Sequence, residues 1–408
     1  MKYDYHQRGK FMKLSNRISK MQFSPIRKLA PYAAKAREDG KRVLGLNIGQ
    51  PDIETPAAFF DTLKNYEEKV LAYSDSRGQR VLLDAFTDYY AKLGYDFKDE
   101  NMVVTNGGSE ALLFSLMAIC DPEDEVLVPE PFYTNYSSFT EMAGCKVTSF
   151  KTYKEDGFHL PSKSEIEASI TPNTKAILYS SPSNPTGTVY TKAEIELLRD
   201  LAIEHDLFLI TDEVYRELVY DDLTVYSPLA YKEIEDRVVL TDSISKRFSA
   251  CGARIGLVAS KNTALINEIM KLTQARLCAP TVEQVAAAAL YRTPESFFEK
   301  TRAEYQHRRD ILFEGLSSIP GVFMRKPEGA FYIIAKFPVK SSEHFCQWIL
   351  ESYDLNGVTV MMAPAGGFYN TPGLGEDEVR ISYCIKAEDL KIAVEVLRSA
   401  LIEYSRLF

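Results

Sequence analysis

No two cysteines in this chain have the C-x-x-C spacing, and none of its histidines falls in an H-E-x-x-H pattern. The six cysteines (Cys120, Cys145, Cys251, Cys278, Cys346 and Cys384) lie far apart, which excludes a disulfide-stapled secreted scaffold and favours free thiols in a reducing cytoplasm. Five histidines without ligand spacing leave no metal site to expect. No apolar run is long enough to span a bilayer, so no membrane partner is expected. An excess of positive charge is also lacking. Forty-eight Lys and Arg against 57 Asp and Glu give a net charge of −9, which argues against nucleic acid as a partner. The opening "MKYDYHQRGKFMKLSNRISKMQ" is basic but has no apolar core of a secretory signal. Residues 1–11 read as a solvated, disordered arm or as an extension ahead of a true start at Met12, with a transit peptide the less favoured reading.

What is present is a chain of 408 residues, 45% hydrophobic, enough for a large core and more than one domain. From about residue 100 to 260, short β-branched runs alternate with amphipathic stretches. "NMVVTNGG" predicts a strand and a glycine turn, and "SEALLFSLMAI" a helix with Ser109 as its N-cap. "DEVLVPEP", "KAILYSSP", "LFLITDE" and "RVVLTDS" predict further buried strands, with a helix over "TKAEIELLRDLAIEH". Such alternation means right-handed crossovers and a mostly parallel sheet covered on both faces. After residue 290 the pattern changes to a long helix, "TPESFFEKTRAEYQHRRDILFEGLSSI", strands at "GVFMRKP", "GAFYIIAKF", "VTVMMAP" and "EVRISYCI", and a closing helix from Ala387. The expected fold class is α/β. A large three-layer domain with a mostly parallel central sheet spans 46–291, and a smaller α+β domain is built from 12–45 and 292–408.

Chemistry concentrates where parallel sheets bind ligands, at the carboxyl ends of strands. "KAILYSSP" runs into "SNPTG" and Asn184, "LFLIT" into Asp212 and Tyr215, and "RVVLTD" into "SISK" and Lys246. Each has a plain alternative: a turn asparagine, a helix-capping aspartate, a core tyrosine, a solvated lysine. An amide, a carboxylate, a phenol and an amine converging on one sheet edge are harder to dismiss together. The Gly107–Gly108–Ser109 turn adds exposed backbone N–H groups suited to an anion. A lysine, a carboxylate and a phosphate cradle together suggest pyridoxal phosphate.

At these residues the chain resembles the fold-type I pyridoxal-phosphate enzymes, class I/II, aspartate aminotransferase-like. From Ile26 onward, "NIGQPDIETP", "YSDSRG", "NGGSEAL", "SSPSNPTG", "TDEVY", "SISKRFSACGARIG", "PEGAFY" and "VRISY" arrive in the family's order. The resemblance implies that Lys246 holds the cofactor as a Schiff base and then moves the α-proton. It implies Asp212 at the pyridine nitrogen, Asn184 and Tyr215 at the ring's 3-oxygen, and a cis Asn184–Pro185 bond. Gly108, Ser109, Ser243, Ser245 and Arg254 are implied at the phosphate, with Gly252, Ala253 and Gly256 allowing close backbone approach. Tyr133 is implied to stack on the cofactor, and Tyr73 to reach the phosphate of a partner chain, so that a homodimer shares its active sites. Arg380 is implied to clamp the substrate α-carboxylate bidentately, with Gly49 beside it and domain closure on substrate.

The family expectation is an aminotransferase exchanging an amino group between an L-amino acid and a 2-oxo acid, aspartate with 2-oxoglutarate leading. An aromatic or broad-range aminotransferase and a C–S β-lyase are the alternatives. The cofactor-sensing half of a transcription regulator would need a preceding DNA-binding domain that the short arm does not supply. Acid-specific relatives bring a second cation to the side-chain carboxylate, one subgroup by a lysine at the position of Ser109. Another subgroup uses an arginine of the partner chain shortly before a proline. Arg276 in "TQARLCAP" is the candidate here, with a helix-surface arginine paired to an acid the equal alternative.

Overall fold

The structure, a computed structural model, describes residues 14–408. The arm expected at 1–11 and the start considered at Met12 lie outside the described residues. The strands, in chain order, are β1 (Arg42–Gly45), β2 (Met102–Thr105), β3 (Glu125–Glu130), β4 (Lys146–Lys151), β5 (Thr174–Ser180) and β6 (Phe208–Asp212). They continue with β7 (Val238–Ser243), β8 (Gly256–Ala259), β9 (Tyr332–Lys336), β10 (Val358–Met361), β11 (Ala363–Pro364) and β12 (Glu378–Ser382).

Seven of them form the central sheet in the order β2-β8-β7-β6-β5-β3-β4. Within it β3 to β7 pair parallel, and only β8 runs against its neighbours β2 and β7. The layers follow from the two-residue period of a strand. Val126, Val128, Ala176, Leu178, Ile210 and Val239 point to one face, where they pack with Leu112 and Leu116 of helix Gly107–Ile119 and Ile266 of helix Thr263–Arg276. Leu127, Ile177, Tyr179, Leu209 and Val238 point to the other, against Ile195, Leu198 and Leu201 of helix Lys192–Glu204. Neighbouring positions within each apolar run thus serve opposite layers, which is why these strands carry no polar alternation. The Lys192–Glu204 helix starts at Thr191, whose N–H is met by the Glu194 carboxylate at 2.7 Å in a capping box.

The remaining strands form two small sheets, a parallel β1–β10 pair and an antiparallel β11-β12-β9 sheet. Leu29, Ala33, Leu44 and Leu46 pack in one core with Leu312, Leu316, Phe345, Val360, Leu397 and Leu401 of the C-terminal elements. No helix among the described residues is long and apolar enough to cross a membrane.

Two local expectations are corrected. "GVFMRKP" forms no strand; only Phe323 pairs, in an isolated bridge with Lys336. Pro327 has no N–H for a ladder, and the Arg325 side chain is drawn away to the Glu155 carbonyl at 2.8 Å. Ser109 is not an N-cap either. The helix begins at Gly107 after Asn106, whose N–H is held by Glu110 at 2.8 Å, and Ser109 lies within the first turn. Its start is set by Glu110, one residue past the serine.

Candidate active site

A cavity of 380 Å³ lies at the carboxyl ends of β5, β6 and β7. Strand register puts Asp212 at the end of β6, level with Ser180 on one side and Thr241 on the other. Beyond β5 the chain turns through Ser181–Pro182 and Asn184–Pro185, both cis peptide bonds, and delivers Asn184 to the cavity. Beyond β7, Ser243 caps a single helical turn, Ile244–Arg247, whose third residue is Lys246. Lys246 Nζ donates to the Gly49 carbonyl at 2.7 Å and lies 3.5 Å from Cys251 Sγ.

Opposite charges wait in this cavity without opposite partners. The carboxylate of Asp212 is 8% exposed and accepts from Tyr136 Oη at 2.9 Å, with no cation paired to it among the described residues. Burial pushes its pKa up to about 6. Arg380, 1% exposed, makes no ion pair among the described residues. Its Nη1 donates to Asn184 Oδ1 at 3.1 Å, its Nη2 to the Asn47 carbonyl, and its Nε has no partner. The guanidinium lies 4.5 Å from the Tyr332 ring centroid and 4.9 Å from that of Phe368, and burial lowers its pKa. Tyr215 Oη is 2.9 Å from Tyr332 Oη, and burial raises its phenol well above the usual range, so it keeps its proton to donate.

One end of the cavity is a backbone cradle. Gly108 and Ser109 line it from the first helical turn, where N–H groups have no intrahelical acceptor. Arg254 takes a left-handed backbone (φ +54°), its Nη1 donates to the Cys251 carbonyl at 2.9 Å, and its guanidinium lies where a Cβ on Gly107 would stand. A Cβ on Gly256 would strike the Gly107–Gly108 backbone, whereas Gly252 has open space around it; close approach is needed at the former and not at the latter. The Ser243 hydroxyl donates to Ser245 Oγ at 2.7 Å, and both serines line the cavity with Tyr133.

Lys246, Asp212, Tyr215, Asn184, Gly49, Gly108, Ser109, Tyr133, Ser243, Ser245, Arg254 and Arg380 are therefore brought together. Tyr73 and Arg276 are not. Tyr73 is 78% exposed beside a separate groove. Arg276 Nη1 is bonded to Glu110 at 2.7 Å, and its Nη2 lies 3.3 and 3.4 Å from the Val104 and Ser76 carbonyls.

The same geometry exposes residues that motif reading passed over. Tyr332 ends the quoted "PEGAFY" and presses on Gly49, where any Cβ would overlap its phenol. Tyr136 stands three residues after Tyr133, in the first turn of helix Asn135–Ala143, and that spacing was the available signal. Arg27 and Cys251 also line the cavity. The second lies inside the quoted lysine motif; nothing local singles out the first.

The sequence matches the family described as aminotransferase class I and II over residues 41–397. This chain belongs to that family. It is 32% identical over 399 residues to aromatic-amino-acid aminotransferase 2 of Thermococcus litoralis, covering 96% of this chain and 99% of the relative. It is 30% identical over 405 residues to the aspartate aminotransferase of Bacillus subtilis, covering 97% and 100%. The crystal structure of the Thermotoga maritima aspartate aminotransferase superposes with a TM-score of 0.87 at 31% identity, covering 95% of this chain and all of the other. The protein is an aminotransferase with the aspartate aminotransferase fold. Members of the family use pyridoxal phosphate. The aminotransferase's own residues fit that group. A protonated ring nitrogen would supply the cation that buried Asp212 lacks, and a phosphate the anion that Arg254 and the Gly108–Ser109 amides lack.

Proposed function

We propose that this aminotransferase binds pyridoxal phosphate and moves the amino group of aspartate to 2-oxoglutarate. One observation carries the reading: a buried guanidinium with no carboxylate paired to it among the described residues, Arg380, shares one cavity with the amine of Lys246 and the carboxylate of Asp212. The aspartate aminotransferases among its relatives support the choice of substrate. Pyridoxal phosphate, when bound, supplies an aldehyde for amino groups and an electron-withdrawing ring beside the substrate's α-carbon.

In this reading Arg254, the Gly108 and Ser109 amides and the Ser243 and Ser245 hydroxyls hold the phosphate. Asp212 keeps the ring nitrogen protonated, and its own carboxylate is steadied by Tyr136. Tyr215 and Asn184 would hold the ring through its 3-oxygen, and Tyr133 would pack against it. Arg380 takes the substrate α-carboxylate by its fork, using the edge that Asn184 and Asn47 leave open. Held there, the Cα–H bond faces Lys246 Nζ, which removes the proton and returns it on the way to product. Gly49 allows Tyr332 to close the wall beside that carboxylate. Tyr73 reaches the phosphate of a second copy of the chain in a homodimer, which fits its exposure and its place outside its own cavity. The six free thiols fit a cytoplasmic location.

An absorbance spectrum tests this directly. Purified protein supplied with pyridoxal phosphate is expected to show the visible band of the bound cofactor, to lose it on addition of L-aspartate, and to recover it with 2-oxoglutarate. A band that responds to phenylalanine but not to aspartate would move the assignment to aromatic substrates. The absence of a band would remove Lys246 from its role.

A further inference from the structure

Four side-chain cations line the cavity: Lys246, Arg254, Arg380 and Arg27. Among the described residues one carboxylate, Asp212, stands against them. The proposed function engages three of the four with the aldehyde, the phosphate and the α-carboxylate. Arg27 is left over.

Its placement is not that of a loose surface residue. Arg27 lies in the turn before helix Ala30–Glu38, its N–H bonded to the Ser24 carbonyl at 3.0 Å and its carbonyl accepting from Ala30 at 2.9 Å. Asn47 fastens this turn to the substrate clamp. Its Nδ2 donates to the Ile26 carbonyl at 2.9 Å while its own carbonyl accepts from Arg380. The next side chain, Lys28, is drawn outward to Glu343 at 2.5 Å. Lys28 is thus neutralised, whereas the Arg27 guanidinium makes no ion pair or side-chain hydrogen bond among the described residues. It lines the same cavity as Tyr133, whose phenol lies within electrostatic reach of Arg27 as well as of Arg380 and Arg254. Arg276, the other arginine considered for acidic side chains, is already ion-paired to Glu110 through Nη1, with Nη2 at two carbonyls.

We infer that Arg27 receives the side-chain carboxylate of the substrate, from within the same chain, and so determines preference for dicarboxylic amino and oxo acids. This rests on the acidic-substrate reading above. A guanidinium fork matches a carboxylate bidentately, and its exposed position at the cavity lets it attract acids before they enter. With Arg380 it gives the two carboxylates of aspartate or 2-oxoglutarate two separate clamps, both tied to Asn47.

The test uses the full chain loaded with pyridoxal phosphate. kcat/KM is measured for aspartate, glutamate and alanine in the wild type, Arg27→Ala and Arg27→Lys. In parallel, succinate and propionate, which have no amino group to transfer, are titrated against the absorbance of the bound cofactor. The aspartate-to-alanine ratio of kcat/KM and the succinate-to-propionate affinity ratio are each expected to fall about 10- to 100-fold in Arg27→Ala, the range of a charge-assisted hydrogen bond. Arg27→Lys recovers part of it, as a point charge without the fork. A wild type that prefers aspartate, with both ratios unchanged in Arg27→Ala, overturns the inference and leaves the acidic reading standing. A wild type that handles alanine as well as aspartate and glutamate overturns both.

Discussion

At the scale of the residue, the cavity is a set of charges held ready at a cost. Asp212 shows the sign of it. Burial raises its pKa from 3.8 to about 6, so the ionised carboxylate destabilises the cofactor-free protein. That cost is fully present above pH 6, falls as the pH drops through the interval, and is gone below the unfolded value. It amounts to on the order of 3 kcal/mol. Asp212→Asn is accordingly expected to raise the melting temperature of the cofactor-free protein at pH 7.5 and to change it little near pH 4. The same variant loses cofactor affinity, since it no longer offers a negative charge to the ring; thermal melts with and without pyridoxal phosphate check both. Gly49 gives a second residue-scale prediction. A methyl there must displace the Tyr332 ring, and Gly49→Ala is expected to lower kcat/KM by roughly 100-fold, the cost of shifting the clamp by about an ångström. Steady-state kinetics read it, with an unchanged visible band showing that the cofactor is still held. Lys246, Asp212 and Asn184 were legible in sequence because each follows or ends a strand of plain apolar pattern, whereas Arg380 was legible only through the resemblance of "VRISY" to the family. Tyr136, Tyr332 and Arg27 were not, because what gives each a role is a contact with a segment distant in the chain or with the ligand.

At the scale of the element, the phosphate cradle is a junction of a strand and a helix start. β8 passes so close to the first turn of helix Gly107–Ile119 that Gly256 can carry no side chain. Gly256→Ala is expected to cost about 1–3 kcal/mol and to weaken cofactor binding together with stability, as separation of the two elements opens the cradle. Denaturant unfolding with and without the cofactor measures the two losses. The expected cap at Ser109 failed at this scale. Serine before an apolar run is a good N-cap signal, yet the glycine pair ahead of it was free to turn earlier and Glu110 could reach back to Asn106. The strand at "GVFMRKP" failed for a related reason: a β-prone composition makes no ladder where a proline and an engaged arginine interrupt the pairing.

At the scale of the whole molecule, Tyr73 lines a groove separate from the cavity of its own chain, on a segment where Val70 and Leu71 are also exposed. If two copies complete each other's sites, ultracentrifugation gives a dimer. Mixing Lys246→Ala with Tyr73→Phe after partial unfolding and refolding then yields activity above the average of the two, since one site in each hybrid regains both side chains. Additive activity would mean that each chain works alone. The layers themselves were determined by sequence: runs such as "KAILYS" and "FLITD" place successive residues on opposite faces, and that period alone demands helices above and below. So was the order of reactive groups along the strand ends, since a strand's last residue needs no tertiary information to be found. What only the tertiary structure decided is which charges are already satisfied. Arg276 meets Glu110 across 166 residues of chain, while Arg27, equally basic in sequence, meets no acid among the described residues. Ion pairing acts through space over a few ångströms, and whether a given arginine is spent or free is settled by the fold rather than by its neighbours in sequence.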